Sequence, residues 1–339
     1  MRPHPPLSQA PADDDTDGIE EASTAGAAAC DLRPLVQTLV EGAAQAKRIG
    51  EAGLARRLRD LVVQVRPTLL VHVDRARCGP GAPQRESDPA EDLLRWQHVA
   101  LLGGLARLEI QLLDAGRTEP SHRQLDDLRA RLWGLAATLN AHVEQERAVA
   151  FHLRSDEEPP CASPPSVVRR EEPGRAASRD PREPHRAAVT VRRQHHGLQD
   201  VVWRIENLAT LAPALTDAGL ASALRGLLEA TVATLIPHFG WEERSLFPAI
   251  DAMIGAAGLS RLLRLQHAEV RDAVERVDTD WLLLCQGERR LDLDDPSARL
   301  HSLRALLEAH LQQEEAALLP ILVSSDDGAR AQLLVASAR

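Results

Sequence analysis

Apolar residues recur along this chain with the period of a helix. In "QHHGLQDVVWRIE" His195, Leu198, Val202 and Ile205 share one face. In "QHAEVRDAVERV" the face is His267, Val270, Val274 and Val277, and in "QHVALLGGLARL" it is His98, Leu101, Leu105 and Leu108. All three follow i, i+3, i+7, i+10, the stripe of an amphipathic helix. Each histidine is therefore expected to point inward among aliphatic side chains, whereas His196, about 100° further round the helix, should meet solvent. Leu224, Leu228 and Leu235 lead to His238 on one face, and Leu303, Leu306 and Leu307 lead to His310. Gly116 and Gly287 are stop signals, Asp88-Pro89 and Asp295-Pro296 are start signals, and Ser121 is a cap. Pro237, inside a helical pattern, should kink that helix or loosen a turn.

The helical segments repeat. "EAGLARRLRDLVVQVRPTLLVHVDRA" (51–76) aligns without a gap with "DAGLASALRGLLEATVATLIPHFGWE" (217–242), and three segments carry a Gln-His pair at the same place. The chain thus contains two related halves, each with internal repetition. Residues 1–27, rich in Pro, Asp and Ala without period, read as a disordered tail. Residues 156–187, with prolines and charges of both signs, read as a Pro/Arg-rich disordered linker. The blocks 28–155 and 188–339 remain. The fold class expected is all-α, with two four-helix bundles.

Composition narrows the partners. The formal charge is -10 and there is no basic stripe with interleaved aromatics, so nucleic acid is not an expected partner. Cys30, Cys78, Cys161 and Cys285 lie far apart and imply neither a disulfide framework nor a zinc knuckle. The start lacks the order of a signal peptide, and no uncharged run reaches the roughly 18 residues of a spanning helix. A cytoplasmic protein without a membrane partner is expected.

The chemistry lies in a spacing. "HFGWE" (His238 to Glu242), "HLQQE" (His310 to Glu314) and "HVEQE" (His142 to Glu146) each place a His four residues before a Glu. Residues i and i+4 stack on one helix face about 6 Å apart, so both can reach one point in a bundle core. An ionised Glu among leucines is costly unless it is paired or binds a metal. In the second block the pairs His238/Glu242 and His310/Glu314 join two lone inward histidines, His195 and His267. The interval from His195 to His238 equals that from His267 to His310. Four imidazoles and two carboxylates would then face one another across a pseudo-two-fold axis. Two carboxylates can bridge two metal ions roughly 3.5–4 Å apart. This donor set suits iron or manganese and admits zinc. Glu243 and Glu315, one place beyond each motif, are expected as outer or surface groups, with Glu315 the better candidate of the two for a further ligand. Trp203, Trp241 and Trp281 are expected as core or interface aromatics.

The order His, HxxxE, His, HxxxE, followed by "EERSLFPAID" and "EEAALLPIL", resembles the hemerythrin-like, HHE cation-binding family. The resemblance covers most of 188–325 and, more loosely, 28–155. It implies an up-down-up-down bundle around a non-haem centre of two iron ions with an oxo or hydroxo bridge. It also implies that His195 and His238 serve one iron, His267 and His310 the other, and that Glu242 and Glu314 bridge. Oxygen-carrying members place a further His four residues after the third-helix ligand. Here that residue is Arg271, which argues against reversible dioxygen carriage.

The first block is a degenerate relative. Ala29 stands at the place of His195 and Ala76 at that of Glu242, while His72, His98, His142 and Glu146 remain. A bridged metal pair is not expected there; His98, His142 and Glu146 could form a two-His-one-carboxylate set. Otherwise this bundle packs on the second or meets a protein partner. Three functions compete. The first is binding or sensing of dioxygen, peroxide, nitric oxide or iron. The second is an enzyme of oxidative or nitrosative stress, turning over peroxide or nitric oxide or repairing iron centres. The third is an interaction scaffold with vestigial ligands. No general acid or substrate pocket is legible, which favours the first.

Overall fold

A computed structural model describes residues 32–46, 51–77, 89–115, 121–155, 183–255, 257–287 and 296–323. Among the described residues the regular elements are helical: α1 (Arg33–Ala46), α2 (Glu51–Arg77), α3 (Pro89–Ala115), α4 (His122–Ser155), α5 (Glu183–Leu211), α6 (Asp217–Trp241), α7 (Phe247–Ile254), α8 (Gly258–Cys285) and α9 (Pro296–Val323). A 3-10 turn, Ala212–Ala214, follows α5, and a π-helical turn, Glu242–Leu246, joins α6 to α7.

The local chemistry explains the boundaries. Ser121 and Gln124 form a reciprocal capping box at the start of α4. Thr216 caps α6 by accepting from the Gly219 amide. Pro89 and Pro296 open α3 and α9, where the missing N–H costs no helical bond. Gly255 and Gly287 end α7 and α8 with φ of 70° and 71°, in the left-handed region that glycine enters without strain. The expected tail, 1–27, lies outside the described residues, as do Cys30, Cys78, Cys161, Gly116, and the linker up to 182. From Glu183 the expected linker is already helical, with Pro184 in the first turn of α5.

Each histidine stripe faces a core, as its period requires. In the first bundle α1 packs on α2 and α4, and α3 closes the ring against the same two helices. In the second, α5 packs on α6 and α9, and α8 closes against α6 and α9. The run Asp217–Ile254 is long and apolar enough to cross a membrane; here it lies along α5 and α8 and buries Leu220, Leu224, Leu235 and Phe239. Of Trp203, Trp241 and Trp281, the last two pack against the cores. Trp203 instead is 66% exposed, because its position on α5 falls off the His195–Leu198–Val202–Ile205 stripe.

The two bundles touch extensively. α4 lies along α9, while α3 and α4 both meet α8. Small residues permit this approach. Ala137 and Ala141 of α4 enter the core of the second bundle, and a Cβ on Gly134 would sit 3.0 Å from the Ala305 Cβ.

Candidate metal centre

Four helices of the second bundle deliver the six predicted residues to one place. His195 comes from α5, His238 from α6, Glu242 from the π turn, His267 from α8, and His310 and Glu314 from α9. All are at most 2% exposed. Their donor atoms form two groups, His195/His238/Glu242/Glu314 and Glu242/His267/His310/Glu314, each with its atoms within 4.8 Å of one another. Glu242 and Glu314 belong to both. Glu242 presents Oε1 to His238 Nε2 at 3.3 Å and Oε2 to His267 Nε2 at 3.3 Å. Glu314 presents Oε2 to His195 Nε2 at 3.2 Å and to His310 Nε2 at 3.4 Å.

The outer nitrogen of each imidazole is also held. His238 Nδ1 meets Gln194 Oε1 at 2.9 Å, and His310 Nδ1 meets Gln266 Oε1 at 3.1 Å. His267 Nδ1 meets Glu243 Oε1 at 2.7 Å, and His195 Nδ1 meets Glu315 Oε1 at 3.1 Å. Every one of these oxygens is an acceptor, so each Nδ1 carries the proton and donates it. A neutral ring then points its Nε2 lone pair into the cage, the tautomer that a metal ligand needs. Glu243 and Glu315 thus each lie against the outer nitrogen of a histidine. The roles of Gln194 and Gln266 were not legible, although the repeated Gln-His pairs were their signal.

The electrostatics agree. Burial pulls His238 down to about 3, His267 to about 2 and His310 to about 3, so all three are neutral at pH 7. Burial opposes the charged form of His195 too, but the Glu314 and Glu315 carboxylates outweigh it and raise that group. Burial, and then the Glu314 charge, hold Glu242 well above the carboxylate range.

A cage of this kind is unfavourable on its own. His238 Nε2, His267 Nε2, His310 Nε2, both Glu242 oxygens and Glu314 Oε1 are buried without a hydrogen-bond partner. Each such atom costs about 1–3 kcal/mol. The unpartnered His310 Nε2 faces Glu314 Oε2 lone pair to lone pair across 3.4 Å. A cation between them would satisfy all six atoms at once, and imidazole with carboxylate is the donor chemistry of iron, manganese and zinc.

Local backbone helps. The π turn opens where Glu242 must reach the cage and Glu243 must reach His267; the Phe247 N–H bonds the Glu242 carbonyl, five residues back. The loosening expected near Pro237 thus falls one turn later, and α6 runs through the proline. Phe239 stacks on His267 at 3.7 Å between ring centroids, and Phe247 lies 5.3 Å from the same ring. Arg271 does not enter the cage; its Nη2 donates to Glu243 at 2.7 Å.

The first bundle contains a second convergence. His72 of α2, His98 of α3, and His142 and Glu146 of α4 bring donor atoms within 4.8 Å of one another. The sequence had set His98, His142 and Glu146 together, and the structure adds His72.

Residues 186–322 match the family model for the hemerythrin HHE cation binding domain. No curated protein and no solved structure matches the chain. The matched segment spans α5 to α9 and contains all six converging residues, so the second bundle is similar to the hemerythrin HHE cation binding domain.

Proposed function

We propose that the second bundle holds two iron ions between Glu242 and Glu314 and uses them to bind or sense dioxygen, peroxide or nitric oxide. One observation carries this reading. Four imidazoles have their Nδ1 atoms fixed from outside and their Nε2 atoms aimed at two shared, buried carboxylates. His195 and His238 would hold one ion and His267 and His310 the other, with both carboxylates shared. Manganese and zinc suit the same donors. When bound, iron supplies Lewis acidity and a change of oxidation state that a diatomic ligand can exploit.

The chain's own residues set the terms. Gln194, Gln266, Glu243 and Glu315 fix ring orientation. Phe239 and Phe247 wall the His267 side with apolar surface and keep water from it. Arg271, bound to Glu243, leaves the His267/His310 side with two imidazoles rather than three. That arrangement favours ligand capture over the reversible carriage expected of a fuller histidine set. The sequence has no Tyr, so no phenol is available for radical chemistry beside the centre. Binding and sensing are therefore preferred to oxidation of a substrate.

Purification under anaerobic and aerobic conditions, followed by elemental analysis and optical spectra with added nitric oxide or peroxide, tests the proposal. Iron at two ions per second bundle, with a spectrum that changes stoichiometrically on ligand addition, supports it. Rapid catalytic removal of peroxide, lost in His238→Ala, would favour an enzyme instead. A chain without metal, or one holding only zinc and silent to these ligands, would overturn it.

A further inference from the structure

We propose that the first bundle carries its own mononuclear metal site, formed by His72, His98, His142 and Glu146, for a divalent first-row transition ion. The family match does not extend to this bundle, and the site stands independently of the centre in the second bundle.

The argument begins with distances. His72 Nε2 and His98 Nε2 lie 3.0 Å apart. Glu146 Oε1 lies 3.1 Å from His72 Nε2, 3.2 Å from His98 Nε2 and 3.3 Å from His142 Nε2. Four donors at 2.0–2.1 Å from one ion define a tetrahedron with edges of about 3.3–3.4 Å, and adjacent octahedral donors lie about 3.0 Å apart. The observed spacings fall at these values. The rings pack edge to face, with interplanar angles of 82°, 86° and 75°, so their nitrogens converge without ring overlap.

Proton placement gives a second, independent reason. His142 is 2% exposed, and its Nδ1 lies 2.7 Å from Gln97 Oε1, an acceptor. The proton therefore sits on Nδ1, and the bare Nε2 points at a carboxylate oxygen that cannot donate to it. That nitrogen has no hydrogen-bond partner. Hydrogen bonding within the cluster can satisfy the Nε2 atoms of His72 and His98, but not that of His142; His98 Nδ1 is also buried without a partner. A cation takes the three Nε2 lone pairs and the Glu146 oxygen together.

The contrast with the second bundle fixes the stoichiometry. The sequence places Ala76 where the second bundle has bridging Glu242, and Ala29 where it has His195. One carboxylate and three imidazoles remain, enough for one ion and not for a bridged pair. The Glu146 side chain is 28% exposed, so the ion can enter from that side, and solvent or a small anion can complete its shell. Three imidazoles with one carboxylate select zinc, iron(II), cobalt(II) or manganese(II) over calcium and magnesium, which take oxygen donors.

Equilibrium dialysis of the full chain against zinc or cobalt(II), with metal counted by mass spectrometry, tests the site. The wild-type chain is expected to hold three ions. His72→Gln and Glu146→Gln are each expected to hold two, with unchanged helix content and an unchanged spectrum from the second bundle. In Glu242→Gln/Glu314→Gln chains one ion is expected to remain, and its cobalt(II) spectrum should vanish when His72→Gln is added. A wild-type count of two that does not fall in Glu146→Gln would overturn the proposal, as would a count of zero in the Glu242→Gln/Glu314→Gln chain. His72→Gln gives the same reading if Glu146→Gln fails to fold. A wild-type chain that holds a single ion, lost in His72→Gln, would overturn the proposed function alone.

Discussion

Gln97 of the first bundle donates its amide to Gln313 of the second, 2.9 Å away, in the buried seam between the bundles. The same amide donates to Gln145 at 2.6 Å, and Gln266 donates to Gln313 and, at 3.4 Å, to Gln145. Two amide groups thus supply four hydrogens to two oxygens with four lone pairs, closing a ring. Its remaining oxygens accept from His142 on one side and His310 on the other. A hydrogen-bonded path therefore runs from one histidine cluster to the other. Gln97→Leu would leave Gln145, Gln313 and the His142 N–H each one partner short. At about 1–3 kcal/mol for each buried unsatisfied group, a loss of several kcal/mol is expected in denaturant unfolding. Gln97→Leu combined with Gln313→Leu should cost less than the sum of the two single changes.

Gly134 tests the seam from its apolar side. Gly134→Leu must displace Ala305, since even a Cβ would lie 3.0 Å from the Ala305 Cβ. A loss of about 1–3 kcal/mol is expected. Ala305→Gly should recover part of a Gly134→Ala loss, and a full Gly134→Leu melting curve would show whether the bundles unfold together or in two steps.

The outer groups should tune the centre without forming it. Glu243→Gln and Glu315→Gln keep an acceptor oxygen but lose the charge that orients His267 and His195. Metal affinity should fall by roughly 10–100-fold, as is usual for such partners. Glu242→Gln and Glu314→Gln should abolish the paired site. Competition with a chelator distinguishes the two classes.

Acid should release metal and loosen the second bundle. His238, His267 and His310 have folded values of about 3, 2 and 3, below the ordinary 6.5. Between these values the unfolded chain binds more protons, so the stability they contribute is present above about pH 6.5 and is lost as pH falls toward 3. Each group costs roughly 1.4 kcal/mol per pH unit in that window. Glu242, raised by burial and by Glu314, acts in the opposite sense in metal-free protein and offsets part of the loss. Melting temperatures at pH 7.5 and 5.5, with and without metal, should differ most for the loaded chain, which also sheds its ions.

Much of this was legible in the sequence. The stripe through His195, Leu198, Val202 and Ile205 placed the helix and turned its histidine inward, because a period of 3.6 admits one buried face. The i, i+4 spacing set His238 with Glu242 and His310 with Glu314 for the same reason. Contacts between helices were less accessible. His72 joins His98 and Glu146 only through the packing of α2 on α3 and α4, which no local spacing encodes. The Gln-His pairs were visible as repeats, but their function depends on a neighbouring helix. The π turn at Glu242 follows Pro237 by one turn, where a sequence rule expects disruption at the proline itself.

Anomalous diffraction from crystals of the iron-loaded full chain tests the central claim most directly. The account predicts two peaks roughly 3.5–4 Å apart between Glu242 and Glu314, each beside two of the four imidazoles. A map with no peak there, or with Glu242 and Glu314 turned away from any ion, would contradict it.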